Sequence, residues 1–126
     1  MSVQLFHRRS GPSIAPLSTG EGPGVRSIVI LHGLFGSCDN WGSIGKELAE
    51  AYDVTLVDQR DHGRSPHTDR VNYPLMAEDV HAFVTSLGLR DIVLVGHSMG
   101  AKTAMYFAHR WPELVKHLVS VDMGPR

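Results

Sequence analysis

Residues 93 to 102, VLVGHSMGAK, place Ser98 between Gly96 and Gly100, directly after an apolar run. Ile92 to Val95 is continuously apolar, as a strand covered on both faces must be. After the serine, Ala101, Ala104, Met105, Ala108 and Trp111 recur at helical spacing until Pro112 interrupts, which predicts a helix from Ser98 to about Arg110. Ser98 therefore falls at a strand-to-helix junction, the context in which Gly-x-Ser-x-Gly acquires chemical meaning. Such a sharp turn pushes the serine toward positive φ, and Gly96 and Gly100 remove side chains that would collide with its backbone. The hydroxyl is then held over the carboxyl end of the sheet, where open α/β sheets bind ligands. The first amides of the following helix face the place where negative charge develops on an attacked carbonyl, so the Met99 amide is one expected oxyanion donor.

Outward from this junction, apolar β-branched runs alternate with segments of helical period. Strands are expected at Ser27 to Leu31, Val54 to Asp58, Ile92 to Val95 and Leu118 to Asp122, with a possible first strand around Val3 to Arg8. Helices are expected from Trp41 to about Ala51, capped by Asn40 with Trp41, Ile44, Leu48 and Tyr52 on one stripe, and from about Pro74 to Ser86. The second buries Met76, Val80, Phe83, Val84 and Leu87, and Gly88 stops it. Each helix links two strands, so the fold class is α/β with a mostly parallel, doubly wound sheet in a single domain over residues 1–126.

A second motif, LHGLFGS at 31 to 37, follows the first clear strand and precedes the first helix, where a second oxyanion amide should originate. Gly33 lets the backbone approach closely; Leu34 is the expected donor and Phe35 the alternate should the loop turn one residue later. His32, at a strand end beside a tight loop, is better placed to hold that loop by hydrogen bonds than to act as a base, and the same holds for His62 and His97.

Composition excludes several classes of function. Twelve basic and thirteen acidic side chains give a net charge of -1, with no basic run to meet a nucleic acid or an anionic membrane. There is no apolar stretch of bilayer length and no signal-peptide core at the start, which leads to a cytoplasmic expectation. The single cysteine, Cys38, has no disulfide partner and no clustered zinc ligands.

LHGLFGS, DQRDHGRSPH (residues 58 to 67) and VGHSMGAKTAM (residues 95 to 105) resemble the α/β-hydrolase fold family, and within it a YbfF-type esterase branch, over about residues 27 to 125. The chain departs from that branch at Ala101, where a third glycine is usual, and at Asp61, where asparagine is usual. The resemblance implies a serine hydrolase of carboxylic esters or thioesters, working through an acyl-enzyme on Ser98 without metal or organic cofactor. Its partner is a small-molecule acyl ester or thioester.

The family order is serine, acid, histidine, with the histidine after the last strand. Only His109 and His117 follow Ser98, both within about twenty residues on the path leading away from it. The catalytic histidine is therefore expected beyond Arg126, and the 126 residues are expected to be the N-terminal portion of such a fold. Asp122, ending a strand in SVDMGP, is either the triad carboxylate, which the resemblance favours, or a cap for the turn before Pro125. A strand ending at LVSVD would leave an open apolar edge, predicting self-association. The motifs alone leave open another reaction on the same scaffold, carbon–carbon hydrolysis or a lyase step, and an inactive fragment.

Among other residues, Lys102 either meets a polar group of the substrate or pairs its ammonium with a carboxylate, the commoner use. Asp58 and Arg60 are expected to brace the loop of Leu34. Phe35, Trp41 and Met99 either line an acyl pocket or serve as core.

Overall fold

The computed structural model describes residues 3–11, 26–34, 36–68 and 71–121. Its strands are β1 (His7–Ser10), β2 (Ser27–Leu31), β3 (Asp53–Val57), β4 (Ile92–His97) and β5 (Val115–Val121), and its α-helices are α1 (Gly42–Leu48), α2 (Tyr73–Ser86) and α3 (Met99–Arg110). The strands form one sheet in the order β1-β3-β2-β4-β5. β2, β3, β4 and β5 pair in parallel, and β1 joins the β3 edge antiparallel. The first strand therefore lies slightly later than Val3 to Arg8, and Leu5 is buried just ahead of it.

Helices cover both faces, as a doubly wound sheet requires. α2 and α3 pack Val80, Val84, Ala104 and Phe107 against Val29, Leu31, Val57 and Leu94. On the other face Ile28, Ile30, Val54 and Leu56 meet Cys38, Trp41 and Leu48. From β2 the chain turns through α1 to β3; from β4 it turns through α3, on the opposite face, to β5. The carboxyl ends of β2 and β4 thus flank a switch point, the position at which such sheets open a crevice for ligands.

Several local expectations are corrected. The first helix is preceded by a 3-10 turn, Cys38–Trp41, capped by Ser37, whose hydroxyl accepts from the Asp39 amide. Asn40 completes a capping box by accepting from the Ser37 amide at 2.8 Å, so it serves the turn's third position and not its cap. Ile44 and Tyr52 are exposed, leaving Trp41 and Leu48 as the inward part of the stripe. Met105 is likewise exposed, whereas Thr103 and Phe107 are buried, because α3 is rotated so that the 100–104–107 row faces the sheet. α2 ends as expected, with Gly88 at φ +69° after its last turn. The apolar strand at the sheet's edge begins three residues earlier than expected and is not covered on both faces: Leu118 and Val119 are 42% and 40% exposed.

A buried ion pair ties α2 to the loop after β3. Arg60 donates from Nε and Nη2 to Asp79 at 2.6 and 2.9 Å, and Asp79 also accepts from the Val3 amide. Both side chains are almost fully buried, so removing the carboxylate leaves a desolvated guanidinium short of a counter-charge. Asp79→Ala is expected to lower unfolding free energy by about 3 kcal/mol. Glu78→Ala, which deletes the half-exposed pair with Arg110, should cost no more than about 0.5 kcal/mol. Urea midpoints at constant m-value test both.

Candidate active site

Ser98 sits between β4 and α3 with φ 54° and ψ −110°, in the strained region that the turn geometry called for. It stands at the cap position of α3, but its side chain makes no capping hydrogen bond, and the residue is exposed. The hydroxyl is thus presented outward. Helical bonding begins with the amides of Ala101 and Lys102, which donate to the Ser98 carbonyl at 2.9 and 3.3 Å. The Met99 amide lies ahead of that first bond, in the position of an N-terminal donor.

The two glycines act differently from the expectation that they spare the serine backbone. A methyl group at Gly96 would stand 2.3 Å from the Gly100 carbonyl oxygen, so Gly96 clears the first turn of α3. A methyl group at Gly100 would stand 2.2 Å from the Leu31 carbonyl oxygen and 2.6 Å from that of His32. Gly100 therefore lets α3 start against the end of β2, bringing the serine turn and the LHGLFGS loop into contact.

That loop is held from below by His32, which is 1% exposed. The Gly33 carbonyl, an acceptor only, lies 2.8 Å from Nδ1, and the Gln59 amide, a donor only, lies 3.0 Å from Nε2. These partners fix a neutral ring with its proton on Nδ1. Burial lowers the His32 pKa in spite of the Gly33 contact, and the neighbouring His62 lowers it further. The Gln59 side chain donates to the His32 carbonyl at 2.9 Å, a reinforcement that no sequence signal singled out. His32 is thereby a brace, as its position suggested.

Above it the Gly36 amide donates to the Gly33 carbonyl at 2.9 Å and closes a turn in which Leu34 is 60% exposed. Gly33 packs on the His97 ring, with the place of a Cβ only 2.8 Å from Nδ1. Phe35 and Asp122 lie outside the described residues.

Asp58 and Arg60 divide the bracing role assigned to them. Asp58 accepts from the amides of Cys38 at 2.6 Å and Arg64 at 2.8 Å, tying the β3 loop to the turn that follows Leu34. Burial pushes its carboxyl up, but these two amides outweigh it and hold the pKa below the ordinary value. Burial and the facing carboxylate push the Cys38 thiol up to about 12, and its Sγ donates to the Leu56 carbonyl. Cys38 is thus a packed, protonated side chain. Arg60 braces α2 through Asp79. The Lys102 ammonium lies over the Tyr73 ring, 5.9 Å from its centroid, where a carboxylate partner had been expected.

A cleft of about 410 Å³ opens between the Gly33–Gly36 turn and the start of α1, walled by Leu34, Trp41, Ile44, Asn40 and His97. Trp41 belongs to this wall as well as to the core, whereas Met99 is buried. Asn40 and Ile44 had been assigned only to helix formation. The Ser-x-x-Asn capping signal at 37 to 40 could have placed Asn40 beside the loop, but nothing in the spacing turns Ile44 toward it.

The family model described as alpha/beta hydrolase fold matches residues 26–125. The sn-1-specific diacylglycerol lipase ABHD11 of Mus musculus is 46% identical over 101 residues, covering 79% of this chain and 33% of the relative. Esterase YbfF of Escherichia coli is 37% identical over 98 residues, covering 78% of this chain and 39% of that one. Among solved structures, a marine microorganism esterase superimposes with a TM-score of 0.87 at 46% identity, over 98% of this chain and 43% of its own. The chain therefore spans between a third and two-fifths of the length of these curated relatives. Among the described residues no helix is long and apolar enough to cross a membrane.

Two measurements test the geometry. Gly100→Ala should cost about 3 kcal/mol or prevent folding, since backbone atoms of β2 must move, whereas Gly42→Ala, with nothing within 4 Å, should stabilise by about 0.5 kcal/mol. The lowered pKa of His32 means that the unfolded chain takes up a proton first as pH falls. Stability held above about pH 6.5, the ordinary histidine value, should be lost progressively below it. In His32→Gln the slope of unfolding free energy between about pH 6.5 and about pH 5 should flatten.

Proposed function

Because this chain belongs to the α/β-hydrolase fold family, we propose that it carries the nucleophile and oxyanion hole of a serine hydrolase acting on carboxylic esters or thioesters. The observation that carries the reading is the exposed Ser98 at φ 54°, beside both an N-terminal helix amide and the braced Gly33–Leu34 loop. Esterases and lipases among the relatives support the class of bond.

In this reading Ser98 Oγ attacks the acyl carbon, forming an Oγ–C bond while its proton passes to a histidine. The carbonyl oxygen becomes an oxyanion that accepts from the Met99 and Leu34 amides. Collapse breaks the bond to the leaving alkoxide or thiolate, which takes the proton back from the histidine. Water then repeats the sequence on the acyl-enzyme, giving the carboxylic acid and free Ser98. His32 does not serve as the base, because both its ring nitrogens are occupied. We assign the base to a histidine beyond Arg126 and the orienting carboxylate to Asp122. Gly33, Gly96 and Gly100 support the reacting groups by close approach.

The test is p-nitrophenyl butyrate hydrolysis by a full-length enzyme carrying these residues, beside Ser98→Ala and a fluorophosphonate titrant. Turnover should fall at least about 10⁴-fold in the variant, with stoichiometric labelling lost. Equal turnover by both proteins would overturn Ser98 as nucleophile.

A further inference from the structure

We infer that the cleft between the Gly33–Gly36 turn and α1 receives the acyl chain of the ester, and that it selects an uncharged aliphatic chain. This rests on the assignment of Ser98 as nucleophile and names the half of the substrate that the cleft takes.

Position is the first argument. Gly33, Leu34 and His97 belong both to the cleft and to the immediate neighbourhood of the proposed oxyanion amide and nucleophile. The cleft lies on the β2 side of Ser98, and β5 lies on the other side of β4. In the order serine, acid, histidine, the base comes from chain that follows β4 and β5, and so approaches from the β5 side. The base returns its proton to the leaving group, which must face that side. The acyl substituent of the same carbon then points the opposite way, into the cleft.

The chemistry of the wall agrees. Leu34, Trp41 and Ile44 supply apolar surface, Asn40 and His97 supply the polar share, and no Asp, Glu, Lys or Arg lines the cleft among the described residues. An acyl chain ending in a carboxylate or ammonium would lose hydration there without a counter-charge. Each buried methylene instead gains roughly fourfold in affinity. The assignment also gives a use to two exposed apolar residues, Leu34 at 60% and Ile44 at 49%, that pack no core.

Ile44 is half-exposed on α1, so its size can be changed without opening the core. In the full-length enzyme, Ile44→Phe narrows the cleft and Ile44→Ala widens it. With p-nitrophenol as the constant leaving group, the octanoate-to-acetate ratio of kcat/KM should fall about tenfold or more in the first and rise severalfold in the second. An unchanged ratio in both variants, or an effect that appears only when the alcohol is lengthened, would overturn the assignment.

A second readout needs no catalysis. These 126 residues hold two tryptophans, so in the full-length enzyme Trp111→Phe, with any tryptophan that follows Arg126 also changed to Phe, leaves Trp41 as the reporter. Hexanamide should then change its fluorescence saturably, acetamide should not, and Ile44→Phe should weaken hexanamide about fivefold or more. Hexanamide failing to bind while esters turn over would sink the acyl assignment alone. Binding without turnover on any ester would sink the hydrolase reading and the acyl assignment with it.

Discussion

The start of α3 and the end of β2 are so close that a methyl group on Gly100 would meet the Leu31 carbonyl oxygen at 2.2 Å. No side chain can be accommodated there without moving backbone, and backbone at that point is held by ladder bonds to β3 and β4. The contact fixes the distance between two neighbouring strand ends and so the relation of Ser98 to the loop of Leu34. The strained φ of Ser98 follows from the same approach, since the chain must reverse from strand to helix within one residue. Strain of about 1–3 kcal/mol persists only where surrounding structure over-determines it. Here the fully buried β2 and β3 and the helices on both faces provide that surrounding.

A second layer of constraint is polar and lies under the first. His32, Gln59 and Asp58 join the loops that leave β2 and β3, through bonds whose donors and acceptors admit one protonation pattern. A charged His32 would direct an N–H at the Gln59 amide, so the low pKa imposed by burial and the geometry of the loop describe one fact. Asp58 shows the opposite balance. Burial opposes its charge, yet the two backbone amides hold it ionised, as a carboxylate satisfied by donors should be. The loops are held because these polar groups, the Gln59 side-chain oxygen excepted, are paired in an environment that penalises any alternative.

Much of this was legible in the sequence, for reasons that differ from residue to residue. β2 and β3 announced themselves because total burial demands an uninterrupted apolar run. The Ser98 turn was legible because strand, glycine, serine, glycine and helix occupy consecutive positions, and sterics allow them few conformations. What the glycines avoid was misread, since Gly100 answers to carbonyls some seventy residues away in sequence, which no local pattern records. The inward face of α3 was legible at Ala101 and Ala104 and misread at Met105 for a related reason: alanines at 101, 104 and 108 suit several faces, and only the sheet decides among them. The run at Leu118 to Val121 states that a strand is to be covered without stating what covers it. Arg60 was legible as a brace but not in its partner, because Asp79 is charged and sits on a helix whose apolar spacing drew the attention.

In the proposed reading, selection of a substrate and stabilisation of its transition state share one piece of backbone. Leu34 contributes its side chain to the cleft wall and, in the proposed mechanism, its amide to the oxyanion hole. A ligand that displaces the Leu34 side chain therefore also turns the peptide that carries the donor. The Gly33 carbonyl limits that movement from both directions, accepting from His32 below and from the Gly36 amide across the turn. An acyl chain that fits meets a donor already aimed; one that does not must break those bonds before it can react. Discrimination then falls on the rate of the chemical step more than on ground-state binding, because the interactions lost are those realised in the transition state.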